Sequence, residues 1–288
     1  MNYRNDKQYS QLFNFENGSY LERTSRPVYA IFFLLPFIIF YEIGTMAINT
    51  SLLRQYWQGR VVAFSWLQNG MEQLGFSHKF AWIAAPLAVI LILAALQLTS
   101  RKKWDFYTRD ICPMIFECIL LAIPLIVLSC LLNSPAASKS SRGPAHSTVN
   151  CSKTECAPVD QHIEQTEKSE YREVLIANIV TGIGAGIYEE LVFRLILICL
   201  FMILFQDILR ISHSGSIILS VILSAVLFSV HHHIIFINGQ FVQSTPFDLT
   251  EFSFRTAAGI YFAVLFAVRG FGITAGTHAF YDILAASI

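Results

Sequence analysis

Charge is scarce in this chain: Asp, Glu, Lys and Arg make up 14% of its 288 residues, and 20 basic side chains are balanced by 20 acidic ones. A soluble domain carries about 25% charged residues, so few polar groups are left here to cover a water-facing surface. The absent basic excess argues against a nucleic-acid partner, which needs a clustered positive stripe. Cysteine is sparse too, six in the whole chain, which excludes a small disulfide-stapled scaffold. What the chain has instead is apolar mass, with 54% hydrophobic residues and a mean hydropathy of +0.51. That surplus exceeds what a globular core absorbs and points to an integral membrane protein.

A helix needs about 20 mostly apolar residues to cross a bilayer. Seven segments fit or come close: 27–48, 80–98, 112–132, 174–205, 216–237, 256–268 and 271–288. They predict an all-α polytopic membrane helical bundle of about 7 (6–8) transmembrane helices. The fourth is too long for one upright crossing, and Gly182, Gly184 and Gly186 in its first half predict a tilt, kink or break there. The last two, joined at Arg269-Gly270, read as a tight helical hairpin.

The first 26 residues are polar, so no cleavable signal is visible and the first span is expected to act as an anchor. Arg4, Lys7, Arg23 and Arg26 in this tail, and Arg101, Lys102, Lys103 and Arg109 in the second loop, place both on the cytoplasmic side by the positive-inside rule. The expected organisation is a cytoplasmic tail over 1–26, N-terminal membrane helices over 27–132, a flexible polar loop over 133–171 and a C-terminal helical core over 172–288. That loop falls on the opposite side of the membrane, where Cys151 and Cys156 could close a small disulfide or remain two thiols. Residues 57–76 mix Trp, Phe and Leu with polar side chains, which suits an interfacial amphipathic helix or an ordered loop.

Ionisable groups inside membrane helices cost at least about 2.5–3.5 kcal/mol each on insertion scales, so each asks for a reason. Glu42 and Glu117 stand singly and suit structural or interfacial roles. The others gather on three spans. Glu190 and Arg194 are four apart and share a face, so they can pair within the helix as structural support. Glu189 is rotated about 100° from Glu190 and has no such partner, which leaves it as the carboxylate facing a cavity and a candidate general base. In the fifth span Phe228 and His232 share a face. Three adjacent histidines point in three directions, and His231 and His233 read as helix-end or loop residues beside Asn238-Gly239-Gln240. In the last span Asp282 lies four after His278 and could fix the tautomer of its imidazole.

Glu189-Glu190…Arg194, Phe228…His232 and His278…Asp282 together resemble the CPBP family, the CAAX protease and bacteriocin-processing family also called Abi, which includes the type II CAAX prenyl endopeptidases. Its pattern is E-E-x-x-x-R, F-x-x-x-H and H-x-x-x-N or H-x-x-x-D on separate helices in this order, and the resemblance covers roughly residues 174–288. It implies a glutamate-dependent intramembrane endopeptidase without a cofactor, acting on a membrane-anchored, lipidated or prenylated protein or peptide in the lipid bilayer. By that resemblance Glu189 and His232 activate a water, while His278 with the residue four later stabilises the oxyanion. Asp282 stands where some members have Asn, and as a carboxylate it accepts hydrogen bonds without donating them, so it is expected to support His278. Glu190, Arg194 and Phe228 are the supporting residues.

Rival mechanisms lack their motifs. H-E-x-x-H and G-x-S-x-G are missing, as is the G-x-G-D partner of an aspartyl pair. Zinc held by Glu189, His232 and His278 is the metal alternative, because carboxylate and imidazole suit that ion. Outside catalysis, the alternatives are an immunity or scaffold protein that keeps the fold, and a proton-coupled transporter, for which the sequence shows no internal repeat.

Overall fold

The computed structural model describes residues 15–16, 18–48, 62–73, 75, 78–132, 160–237, 240–243 and 246–287. Cys151 and Cys156, and residues 57–61 of the expected interfacial helix, lie outside the described residues.

A short helix α1, Tyr20–Thr24, opens where Ser19 accepts from the Glu22 backbone N–H. Pro27 then starts α2, Pro27–Ala47, a position where its missing N–H costs nothing. There follow α3, Val62–Gln73, α4, His78–Ser100, and α5, Ile111–Leu132. The helix α6, Asp160–Glu190, begins inside the stretch expected to be loop, so residues 160–171 are helical. It runs on through a π-wound turn Leu191–Leu197, an α-helical turn Ile198–Met202 and a second π-wound turn Ile203–Ile208. Then come α7, His213–His233, a two-stranded antiparallel hairpin of β1, Ile234–Ile237, and β2, Gln240–Gln243, and finally α8, Leu249–Ser287.

Among the described residues five helices are long and apolar enough to cross a membrane, with Ala85–Ser100 of α4 a shorter apolar one. The all-α membrane bundle is therefore what the chain forms. The last of these helices reverses direction at Gly270, whose φ of 76° lies where only glycine is unstrained. Phe262 and His278 stack at 4.5 Å across the bend. Sixteen residues of straight helix would separate them by about 24 Å, so the two arms fold back on each other as a hairpin.

Two boundaries differ from expectation. The fifth span stops at His233, not residue 237, because the chain leaves helical geometry at Ile234 (φ −128°, ψ 116°) and enters β1. The glycines of α6 also do not break it. Gly182, Gly184 and Gly186 sit inside continuous helix, and the winding loosens only after Glu190. Their role is close approach: a Cβ on Gly186 would lie 2.5 Å from the Ala279 backbone nitrogen. The missing side chain lets α6 and the second arm of α8 touch backbone to backbone.

α8 is the hub, packing on α6, α5, α7 and α2. Its buried residues Phe262, Ile273 and Ala275 join Tyr29, Phe33, Met114 and Ile187 in one core. Large apolar side chains on the outside, such as Ile43, Leu91, Leu120 and Ile218, make the surface that lipid covers. At one end of the bundle, polar side chains tie the connections together. Arg23 pairs with Asp110 at 3.0 Å, and Glu22 pairs with Arg26 and, at 3.7 Å, with Lys102. Arg269 joins Glu117, the Leu21 carbonyl and Thr24 Oγ1, while Tyr20 donates to Glu117 at 2.8 Å. Glu117 is thus the partner of the arginine at the α8 bend.

Candidate active site

Close contact at Gly186 aligns the end of α6 with the second arm of α8, and the Glu-Glu pair comes next along α6. Glu189, Glu190 and Arg194 are 1%, 0% and 0% exposed. Arg194 Nε lies 3.0 Å from Glu190 Oε2, the ion pair expected from their spacing. Its guanidinium also sits 4.3 Å over the Phe228 ring and 5.6 Å from that of Phe262, and donates to the Gly259 carbonyl at 3.4 Å. Phe228 therefore serves the arginine through its π face.

Glu190 does more than balance Arg194. Its Oε1 accepts from His278 Nδ1 at 2.7 Å. The carboxylate that fixes the His278 tautomer is thus Glu190, while Asp282 Oδ2 lies 3.9 Å from the other nitrogen, Nε2. Tertiary contact overrides the helical i, i+4 relation here, because Nδ1 faces α6. The Nε2 atom also lies 3.9 Å from Glu189 Oε2, and Phe262 stacks on the ring from the other side.

The last turn of α7 supplies the remaining imidazoles. Nδ1 of His231 and Nδ1 of His232 both bond the Phe228 carbonyl. A carbonyl only accepts, so both Nδ1 atoms carry protons and both Nε2 atoms present lone pairs in the neutral rings. His231 Nε2 lies 3.7 Å from Glu189 Oε1. His231, expected to be a helix-end residue outside the site, is part of it. Its signal in the sequence was its position three residues after Phe228, with His232 four after, so that one carbonyl reaches both. His233 turns away and packs on Phe247 and Phe252.

Donor atoms of Glu189, His231 and His232 fall within 4.8 Å of one another. This carboxylate with two imidazoles is the set that fits a metal, with His231 in place of the expected His278, whose Nδ1 is engaged by Glu190. The N-terminal half also reaches the site. Trp66 of α3 lies 6.0 Å from the His231 ring and 6.3 Å from Phe193, and Phe64 lies 5.0 Å from Tyr188. Tyr188 in turn donates to Glu42 at 3.4 Å. No pattern in residues 57–76 announced that α3 would pack against the centre instead of lying at an interface.

The fold and centre define a multi-pass membrane helical bundle with glutamates and histidines shut into its interior. Residues 171–284 match the family model of the type II CAAX prenyl endopeptidase Rce1-like proteins, a likeness of this segment that supports the CAAX protease family. No curated protein and no solved structure matches the chain.

Proposed function

We propose that the protein is an intramembrane endopeptidase that hydrolyses a peptide bond near the C-terminus of a membrane-anchored, prenylated protein or peptide. The observation that carries this is Glu189, a buried carboxylate whose two oxygens face His231 Nε2 at 3.7 Å and His278 Nε2 at 3.9 Å. Those separations are too long for direct hydrogen bonds and suit a water held against all three groups.

In this reading Glu189 takes a proton from that water as the oxygen attacks the scissile carbonyl carbon. The lone pairs of His231 and His232 orient the water. Charge then builds on the carbonyl oxygen, and a proton on His278 Nε2, with Nδ1 held by Glu190, is aimed to stabilise it. Glu189 returns its proton to the leaving nitrogen, the C–N bond breaks, and a new carboxylate and a new amine are released. Arg194 pairs with Glu190, which is the acceptor for His278. Should a zinc ion bind, Glu189, His231 and His232 would hold it, and it would supply Lewis-acid activation of water. The N-terminus and residues 101–110 lie on the cytoplasmic side in this reading, since the basic end of the bundle gathers both.

Purified protein in liposomes, given a pool of farnesylated peptides with three residues after the cysteine, is expected to release the tripeptides. Glu189→Gln is expected to lower the rate about 10²–10⁴-fold, with His232→Ala and His278→Ala each strongly impaired. Undiminished cleavage by Glu189→Gln protein would sink the mechanism, and a fold that supports its cellular phenotype without Glu189 would mark a scaffold instead. Chelation is expected to leave turnover intact; loss restored by zinc would move the chemistry to the metal.

A further inference from the structure

Resting on the peptidase reading, we propose that Arg255 binds the free C-terminal carboxylate of the substrate and so sets how many residues lie beyond the scissile bond. Arg255 lies on the first arm of α8. On the same stripe, at spacings of three and four, stand Phe252, Gly259 and Phe262. Phe252 accepts from Ser229 of α7 at 2.8 Å, Gly259 accepts from Arg194 and packs on Ala225, and Phe262 stacks on His278. The stripe therefore faces α7 and the catalytic centre, and on α7 His232 continues the facing row of Ala225 and Ser229.

Distance gives the assignment its content. Arg255 precedes Phe262 by seven residues, two turns or about 10 Å along the helix. Three residues of extended peptide also span about 10 Å. A substrate with its scissile carbonyl against His278 thus brings its terminal carboxylate to Arg255 when three residues follow the cleaved bond.

The chemistry agrees. Glu189, Glu190 and Asp282 repel an incoming carboxylate, so the site needs a cation to receive one. Arg194 also has an Nη1 without a hydrogen bond, but it is fully buried behind Glu190 and the Gly259 carbonyl, where an incoming peptide does not reach it. Arg255 has a buried Nη1 that makes no hydrogen bond. The same atom lies 3.3 Å from Glu251 Oε2 as an ion pair, and the Glu251 side chain is 54% exposed. The Arg255 side chain is 27% exposed, so it is open to an incoming peptide while this one donor stays out of water. Glu251 holds the place of the carboxylate that the substrate brings.

The test compares the same farnesylated peptides as free acids and as C-terminal amides, with liposome-embedded full-length protein. Free acids are expected to show a KM about 10–100-fold below that of the amides, the scale of a lost charge-assisted hydrogen bond. Arg255→Ala is expected to raise the acid KM toward the amide value, Arg255→Lys to restore part of the difference, and Glu251→Gln to widen it. Equal cleavage of acid and amide by the unmodified protein overturns the assignment while leaving the peptidase reading standing. So does an acid preference that persists in Arg255→Ala. Cleavage of neither form overturns both. If Arg255→Ala does not fold, the acid and amide comparison in the unmodified and Glu251→Gln proteins still decides.

Discussion

Glu189 and Glu190 are neighbours separated by about 100° around α6, and that rotation gives them different partners. Glu190 faces both Arg194 and His278, so removing its charge strands a buried guanidinium and releases an imidazole at once. Glu190→Gln is expected to cost about 3–5 kcal/mol, the scale for breaking one side of a buried pair, measured by thermal unfolding in detergent. Replacing both partners separates the two roles. Glu190→Leu with Arg194→Met is expected to recover most of the stability, since buried ion pairs exchange for apolar residues at little cost, yet to remain inactive because His278 Nδ1 has lost its acceptor. Recovery of activity in that double variant would show that Glu190 does not position His278. The Glu190 and Arg194 spacing made their pairing legible in the sequence. The bond from Glu190 to His278 was not legible, because it joins residues 88 apart and depends on how α6 meets α8.

At the scale of elements, the contact between α6 and the second arm of α8 holds the carboxylates against His278. Gly186→Val is expected to destabilise the bundle by about 1–3 kcal/mol or more through overpacking, and to lower turnover further than that loss of fold accounts for, read as activity per folded molecule. Small residues at membrane helix contacts permit such backbone approach. The sequence carried the glycines, but their spacing suited a kink as well as a contact, and only the position of Ala279 decides between them. The π-wound turn Leu191–Leu197 takes the loosening instead, directly after the Glu pair, in keeping with the frequency of such turns at functional sites. Helix α3 shows the same limit. Its mixture of Trp, Phe and polar residues suits an interface, yet Trp66 packs beside His231.

Across the whole molecule, the end of the bundle that carries α1 is fastened by ion pairs among distant segments. The Glu22 carboxyl is held below the usual carboxylate range, first by its hydrogen bonds from Arg26 and further by the charge of Lys102. A depressed carboxylate contributes stability that is complete above its unfolded value, about 4.3, and is lost as pH falls through the lower folded value. Hydrogen exchange over residues 20–26 is therefore expected to accelerate on acidification below about pH 4, and Glu22→Gln to remove that dependence. Composition and apolar runs determined by themselves that the chain is a membrane bundle, because about 20 apolar residues in a row have no better solvent than lipid. Three short motifs likewise determined which helices carry the buried glutamates and histidines, since local spacing fixes which side chains share a helical face. Tertiary structure alone decided that His231 joins the centre, that Glu190 instead of Asp282 holds His278, and that the stripe carrying Arg255 faces the centre. Those relations cross between helices, where the meeting of backbones at sites such as Gly186, and not periodicity, sets which atoms come within reach.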